Sequence, residues 1–124
     1  MKLILIIDDN VEFRTMVYDY FTDLGYKVEI AENGREGLAK AKAISPDIIL
    51  CDVMMPDIGG IEVIRNLQSD DDTRNIPVLV ITGSFFDKNM SELFRQESNC
   101  REFMSKTVEL AYLQKKVEAL VPNK

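Results

Sequence analysis

Apolar runs and helical stripes alternate along the chain. Leu3-Ile4-Leu5-Ile6-Ile7 is apolar at every position, the pattern of a strand buried on both faces. Asn10 stands where it can cap a helix whose Phe13, Val17, Phe21 and Leu24 share one face, and Gly25 supplies a left-handed stop. Lys27 to Ala31 alternates as a more exposed strand does. Asn33-Gly34 opens a second helix, Arg35 to Ala43, with Leu38 and Ala41 inward, which Ser45-Pro46-Asp47 ends. Ile48-Ile49-Leu50-Cys51 is a third strand, again continuously apolar, closing at Asp52. A loop with Pro56 and Gly59-Gly60 leads to a helix built on Ile61, Ile64 and Leu67. Beyond Asp70-Asp71-Asp72 comes a fourth strand, Val78 to Ile81, closing at Thr82. A helix over Asn89 to Glu97 has Met90, Leu93 and Phe94 inward, and a weaker strand, Glu102 to Ser105, closes at Lys106. The last helix sets Leu110, Leu113, Val117 and Leu120 on one stripe, with Pro122 at its end.

Strands alternating with helices, the inner strands apolar throughout, predict an α/β fold: a doubly wound, flavodoxin-like domain with a five-stranded parallel sheet and helices on both faces. An antiparallel α+β arrangement is the alternative. A chain of 124 residues holds one such domain, residues 1–124. Its formal charge of −6 and pI near 4.7 argue against a nucleic-acid binder and against docking on anionic membranes. There is no histidine, which removes histidine catalysis and histidine-ligated metals, and Cys51 and Cys100 are too few for a structural zinc site. Without a signal peptide or an apolar stretch near the ~20 residues of a membrane span, a cytoplasmic location with reduced thiols is expected.

Open α/β sheets bind ligands beyond the carboxyl ends of their strands. There this chain places Asp8 and Asp9, Asp52, Thr82 and Lys106, each directly after an apolar run. Taken singly, each has an ordinary reading: a helix cap, a turn residue, a good strand residue, a solvated edge lysine. Taken together they converge if the first and third strands are neighbours. Three clustered carboxylates repel one another and suit a hard divalent cation such as Mg²⁺, while Lys106 and Thr82 offer contacts for phosphoryl oxygens. These are the parts of a phosphoryl-transfer site, with a carboxylate as acceptor. Asp52 stands alone at the central strand, whereas Asp8 and Asp9 form a pair suited to the metal.

The stretches Leu5 to Asn10, Ala31 to Glu36, Pro46 to Pro56, Val80 to Thr82 and Phe103 to Lys106 resemble the receiver domain of two-component response regulators, in particular the chemotaxis-type single-domain receiver. The resemblance covers essentially the whole chain, including the separations of 43, 30 and 24 positions between Asp9, Asp52, Thr82 and Lys106. It implies the strand order 2-1-3-4-5 and phosphoryl transfer to Asp52 from the phosphohistidine of a histidine kinase or phosphotransfer protein. It implies that Asp9, Asp52 and the Met54 backbone carbonyl ligate Mg²⁺, with Asp8 acting through water. Thr82 and Lys106 would hold phosphoryl oxygens, and Thr82 and Phe103 would form the switch, Phe103 turning inward on activation. The reshaped surface would be the fourth helix, fifth strand and fifth helix, meeting a downstream effector protein. The implied protein is a signalling domain rather than an enzyme, its only chemistry being its own phosphorylation and dephosphorylation. With no effector module after Leu120, it is expected to act alone.

The chain departs from that family at several places. Thr107 replaces the usual proline after the lysine, Gly59 stands where aspartate is common, and Gly83 where alanine is common, widening access to Asp52. Asn99 occupies a place often held by glycine and is expected to take its left-handed backbone. Met54 and Ser84 would flank the attacking water, and an apolar Met54 there predicts slow loss of phosphate. Phe85-Phe86 reads equally as a partner patch or as packing under the next helix, Asp70-Asp71-Asp72 as a solvated loop, and Cys51 as core. Three rivals fit less well. A haloacid-dehalogenase-type phosphatase needs Asp-x-Asp after the first strand, where Asp8-Asp9-Asn10-Val11 stands. A partner-binding pseudo-receiver would not need an intact acceptor. A flavin or dinucleotide carrier needs a Gly-x-Gly-x-x-Gly loop.

Overall fold

A computed structural model of the chain describes residues 2–53, 55–83 and 88–121, without the side chains of 88–91. Met54, Ser84, Phe85, Phe86, Pro122 and the Met90 side chain, all invoked above, lie outside the described residues. Strands β1 (Leu3–Ile7), β2 (Lys27–Ala31), β3 (Ile48–Asp52), β4 (Val78–Thr82) and β5 (Cys100–Ser105) alternate with helices α1 (Val11–Asp23), α2 (Gly34–Ile44), α3 (Gly60–Gln68), α4 (Lys88–Arg95) and α5 (Leu110–Leu120). The sheet has the order β2-β1-β3-β4-β5 and every pairing is parallel, so the antiparallel alternative is excluded.

The apolar strands read as continuous runs because successive side chains enter two different cores. Ile4 and Ile6 of β1, with Leu50 and Leu79, meet Val17 and Phe21 of α1 and Leu113 and Val117 of α5. Leu5 and Ile7, with Ile49 and Val80, meet Ala41 of α2, Val63, Ile64 and Leu67 of α3, and Phe94 of α4. Each fully buried aliphatic side chain contributes roughly 1.5–3 kcal/mol, and both faces of the central strands collect it. The helix ends follow their capping residues. Asn10 and Asn33 accept from the N–H groups of Phe13 and Glu36, and Gly25 takes a φ of 98° just beyond α1.

Some inward assignments fail for local reasons. Leu24 is the C-cap of α1 and 44% exposed, because the stripe cannot extend past the last helical turn. In α4 Phe94 is buried and its neighbour Leu93 is exposed. In α3 Ile61 does pack against the core, partly covered, and Val63, which the spacing did not name, is buried. Asn99 does not adopt the left-handed backbone: among the described non-glycine residues only Ser45, the C-cap of α2, has a positive φ. Asn99 is instead buried, its amide donating to the Ile64 carbonyl and its N–H to Gln68 Oε1, so its side chain tethers α3 to the entry of β5. No described peptide bond is cis.

The turn after β3 requires a close backbone approach. A Cβ on Gly60 would lie 2.6 Å from the Asp52 carbonyl oxygen and 3.0 Å from Val53 Cα, and the Gly60 N–H donates to the Val53 carbonyl. The obstructing atoms are backbone of Asp52 and Val53 and cannot move aside as a flexible side chain would, so Gly60→Ala is expected to destabilise the domain by about 1–3 kcal/mol. Gly59→Ser, whose Cβ would come no closer than 3.6 Å to its neighbours, adds an N-cap hydroxyl to α3 and is expected to be neutral or stabilising. Denaturant midpoints of the two variants check the contrast.

Candidate functional site

Strand register assembles the site. Ile7 pairs with Cys51, so Asp8 and Asp52, one residue further on, emerge side by side from β1 and β3. Asp52 pairs with Ile81, and Thr82 pairs with Ser105, which brings Thr82 and Lys106 to the same edge. The Lys106 N–H donates to the Thr82 carbonyl, continuing the β4–β5 ladder past the strand end. Carboxylate oxygens of Asp8, Asp9 and Asp52 lie within 4.8 Å of one another. Asp8, Asp52 and Thr82 are buried and Asp9 is exposed, so the acid pocket opens to solvent on the Asp9 side.

Lys106 crosses the pocket. Its ammonium is 2.8 Å from Asp8 Oδ2, 3.0 Å from Asp8 Oδ1 and 3.8 Å from Asp52 Oδ1. One cation among three carboxylates leaves excess negative charge. Burial, followed by the charge on Asp8, pushes the Asp52 carboxyl up to about 7, with Asp9 adding to the rise and Lys106 and the Val53 N–H opposing it. An acid held that high by desolvation and like charge gains from an added cation. The donors are hard oxygens, and the three residues form a pocket able to hold a metal ion. The thiols do not compete as nucleophiles. Burial, reinforced by Asp52, pushes Cys51 far up, and burial pushes Cys100 up to about 11.

The strand-end positions named from the sequence thus come together, while Phe103 lies one layer deeper. It is buried, its ring 5.2 Å from that of Phe94. Gly83 faces Lys106 rather than Asp52: a Cβ there would lie 3.1 Å from the lysine Cδ, so its contribution is room for the lysine stem. Three interactions at and beside the site were not read from the sequence, which placed Phe13 only on the inward stripe of α1. Arg14 is buried in α1 and donates from Nη1 to the Asp8 carbonyl at 2.9 Å, fixing the turn that carries the acid pair. Phe13 lies beneath the Lys106 ammonium, 4.7 Å from nitrogen to ring centroid. Asp57 accepts from the N–H groups of Gly34 and Arg35, tying the loop after β3 to the start of α2. Apolar spacing marked Phe13 as inward, and beyond that the sequence signal was position: Phe13 and Arg14 fall in the first turn after an acid pair.

Comparison with known proteins agrees with this geometry. Residues 4–118 match the family model described as the response regulator receiver domain. The chain is 31% identical to Protein PilH of Pseudomonas aeruginosa over 98% of both chains. It is 35% identical to the polar-differentiation response regulator DivK of Brucella anthropi, covering 86% of this chain and 85% of DivK. Among solved structures, the chemotaxis protein CheY4 of Vibrio cholerae superposes with a TM-score of 0.90 at 28% identity, over 98% of this chain and 99% of CheY4.

Proposed function

The chain belongs to the response regulator receiver domain family of two-component signalling, and from that premise we propose that Asp52 is its phosphoryl acceptor in an Mg²⁺-dependent transfer. The observation that carries this reading is the gathering of Asp8, Asp9 and Asp52 around one lysine at the carboxyl edge of the sheet. The donor is the phosphohistidine of a histidine kinase or phosphotransfer protein. A carboxylate oxygen of Asp52 forms the new O–P bond as the N–P bond breaks, and the departing imidazole takes up a proton from water. In the proposed roles Asp9 and Asp52 hold Mg²⁺, together with the Met54 carbonyl, and Asp8 acts through water while it anchors Lys106. The ion supplies charge neutralisation for a phosphoryl group entering an acidic pocket. Lys106 and the Thr82 hydroxyl orient phosphoryl oxygens, which is the positioning that such transfers depend on.

The output we assign is a change in the surface formed by α4, β5 and α5, with Thr82 and Phe103 as the switch. Phe103 lies inward, buried with its ring against that of Phe94. In this reading phosphorylation stabilises that inward position of the ring. The whole of 1–124 acts as one receiver domain in the cytoplasm, signalling by protein contact; among the described residues no helix is long and apolar enough to cross a membrane.

Incubation with acetyl phosphate and Mg²⁺, followed by intact mass, tests the reading. A single phosphoryl adduct is expected, and chelation of the metal before incubation is expected to prevent it. A chain that remains unmodified by acetyl phosphate and by a histidine kinase's phosphorylated domain would overturn it.

A further inference from the structure

The aromatic ring beneath the lysine closes a circuit of contacts within the site. Asp8 Oδ1 accepts from the Asn10 N–H at 2.8 Å, and the Asn10 side chain accepts from the Phe13 N–H at 2.8 Å, which makes Phe13 the third residue of the capped first turn of α1. The Phe13 ring then faces the Lys106 ammonium at 4.7 Å, and the ammonium returns to both oxygens of Asp8 at 2.8 and 3.0 Å. On its other side the lysine stem runs along Gly83, where a Cβ would come within 3.1 Å of it. A lysine carries several freely rotating bonds, and its charge alone does not choose one geometry. Here backbone borders the stem, a ring face lies under the head, and Asp8 holds the ammonium toward Asp52.

We infer that Phe13 is a positioning residue for Lys106, its ring face holding the ammonium at the acid pocket through a cation–π contact. The inference rests on the receiver reading for its kinetic consequence and on the geometry alone for the contact. The face of an aromatic ring attracts a cation electrostatically, whereas an aliphatic side chain of similar size gives only packing. Phe13 also packs partly against the core between α1 and α5, so the test must separate the ring's charge distribution from its bulk.

The experiment uses the full chain as Phe13→Leu, as Phe13→Tyr, and as Phe13→Leu combined with Lys106→Met, with folding checked by denaturant melts. Phe13→Leu is expected to slow adduct formation from acetyl phosphate and Mg²⁺ by roughly 2- to 30-fold, the rate equivalent of a cation–π contact. Phe13→Tyr restores the rate, and in the Lys106→Met background Phe13→Leu adds nothing, because the partner is gone. An equal slowing in both backgrounds would overturn the inference in favour of simple packing, as would a Phe13→Leu rate equal to the parent's. A second readout needs no phosphorylation. The Lys106 ε-methylene protons are expected to be shifted upfield by the ring current in the parent and in Phe13→Tyr, and not in Phe13→Leu. If the parent accepts no phosphoryl group, the receiver reading fails while this shift still decides the contact; no shift in the parent overturns it.

Discussion

Asp52→Asn is expected to take up no phosphoryl group from acetyl phosphate under conditions that convert the parent to a single adduct, a loss of more than about a hundredfold in rate. The three carboxylates are not equivalent candidates. Asp8 has both oxygens on the Lys106 ammonium, and Oδ1 also accepts from the Asn10 N–H, so its charge is already largely compensated. Asp9 is exposed, and water stabilises its charge and blunts it as a nucleophile. Asp52 is buried, and its described contacts, the Val53 N–H at 2.9 Å and Lys106 at 3.8 Å, are both through Oδ1. Among the described residues no hydrogen bond or ion pair engages Oδ2, which suits it to form a new bond in a place where preorganised donors act at low dielectric. Asparagine keeps the volume and the Oδ1 contacts but lacks a nucleophilic oxygen, so intact mass after Asp52→Asn reads the chemistry rather than the fold. An adduct formed at the parental rate in Asp52→Asn would place the acceptor elsewhere.

The position of Asp52 in the acid pocket was legible because of how parallel sheets are written in sequence. A strand buried on both faces reads as an unbroken apolar run, and the first polar residue after it marks the functional edge. Asp8, Asp52, Thr82 and Lys106 were found in that way, each by its place after a run. What escaped notice depends on helix rotation and on loop closure. Arg14 looks like a surface residue of α1 until the turn after β1 is seen to bring the Asp8 carbonyl beneath it. Asp57 looks like any loop acid until the start of α2 is seen to lie within reach. Asn99 was misread in the opposite direction, its backbone tolerance given weight where a buried side-chain donor decided the matter. Leu24 and Leu93 show that a stripe of apolar positions marks a helix reliably and its inward edge less so.

In metal-free solution the domain is expected to lose stability as pH rises from about 4 to about 7, and divalent metal is expected to restore it. The sign follows from Asp52. Its carboxyl, at about 7 in the folded chain against an ordinary 3.8, keeps a proton that the unfolded chain has already released. Between those values the native state binds more protons, so unfolding becomes easier with each step upward in pH, and the penalty is complete above the folded value. A displacement of that size sets an upper bound of about 4 kcal/mol on the destabilisation by about pH 8, and solvent screening through the open Asp9 side reduces it to about 1–3 kcal/mol. Asp52→Asn carries no such penalty. With metal chelated it is expected to melt on the order of 10 °C above the parent at about pH 8 and close to it at about pH 5. Mg²⁺ opposes the same repulsion, so it is expected to raise the parent's melting temperature most at high pH, where the carboxylates are ionised and protons no longer compete for their oxygens. In Asp52→Asn most of that increase disappears, because one of the proposed ligands is now a neutral amide. Thermal melts with and without Mg²⁺ across that pH range decide the matter. A parent whose stability in chelator is flat with pH, or whose response to Mg²⁺ survives Asp52→Asn undiminished, would mean that the acid pocket does not concentrate charge on Asp52.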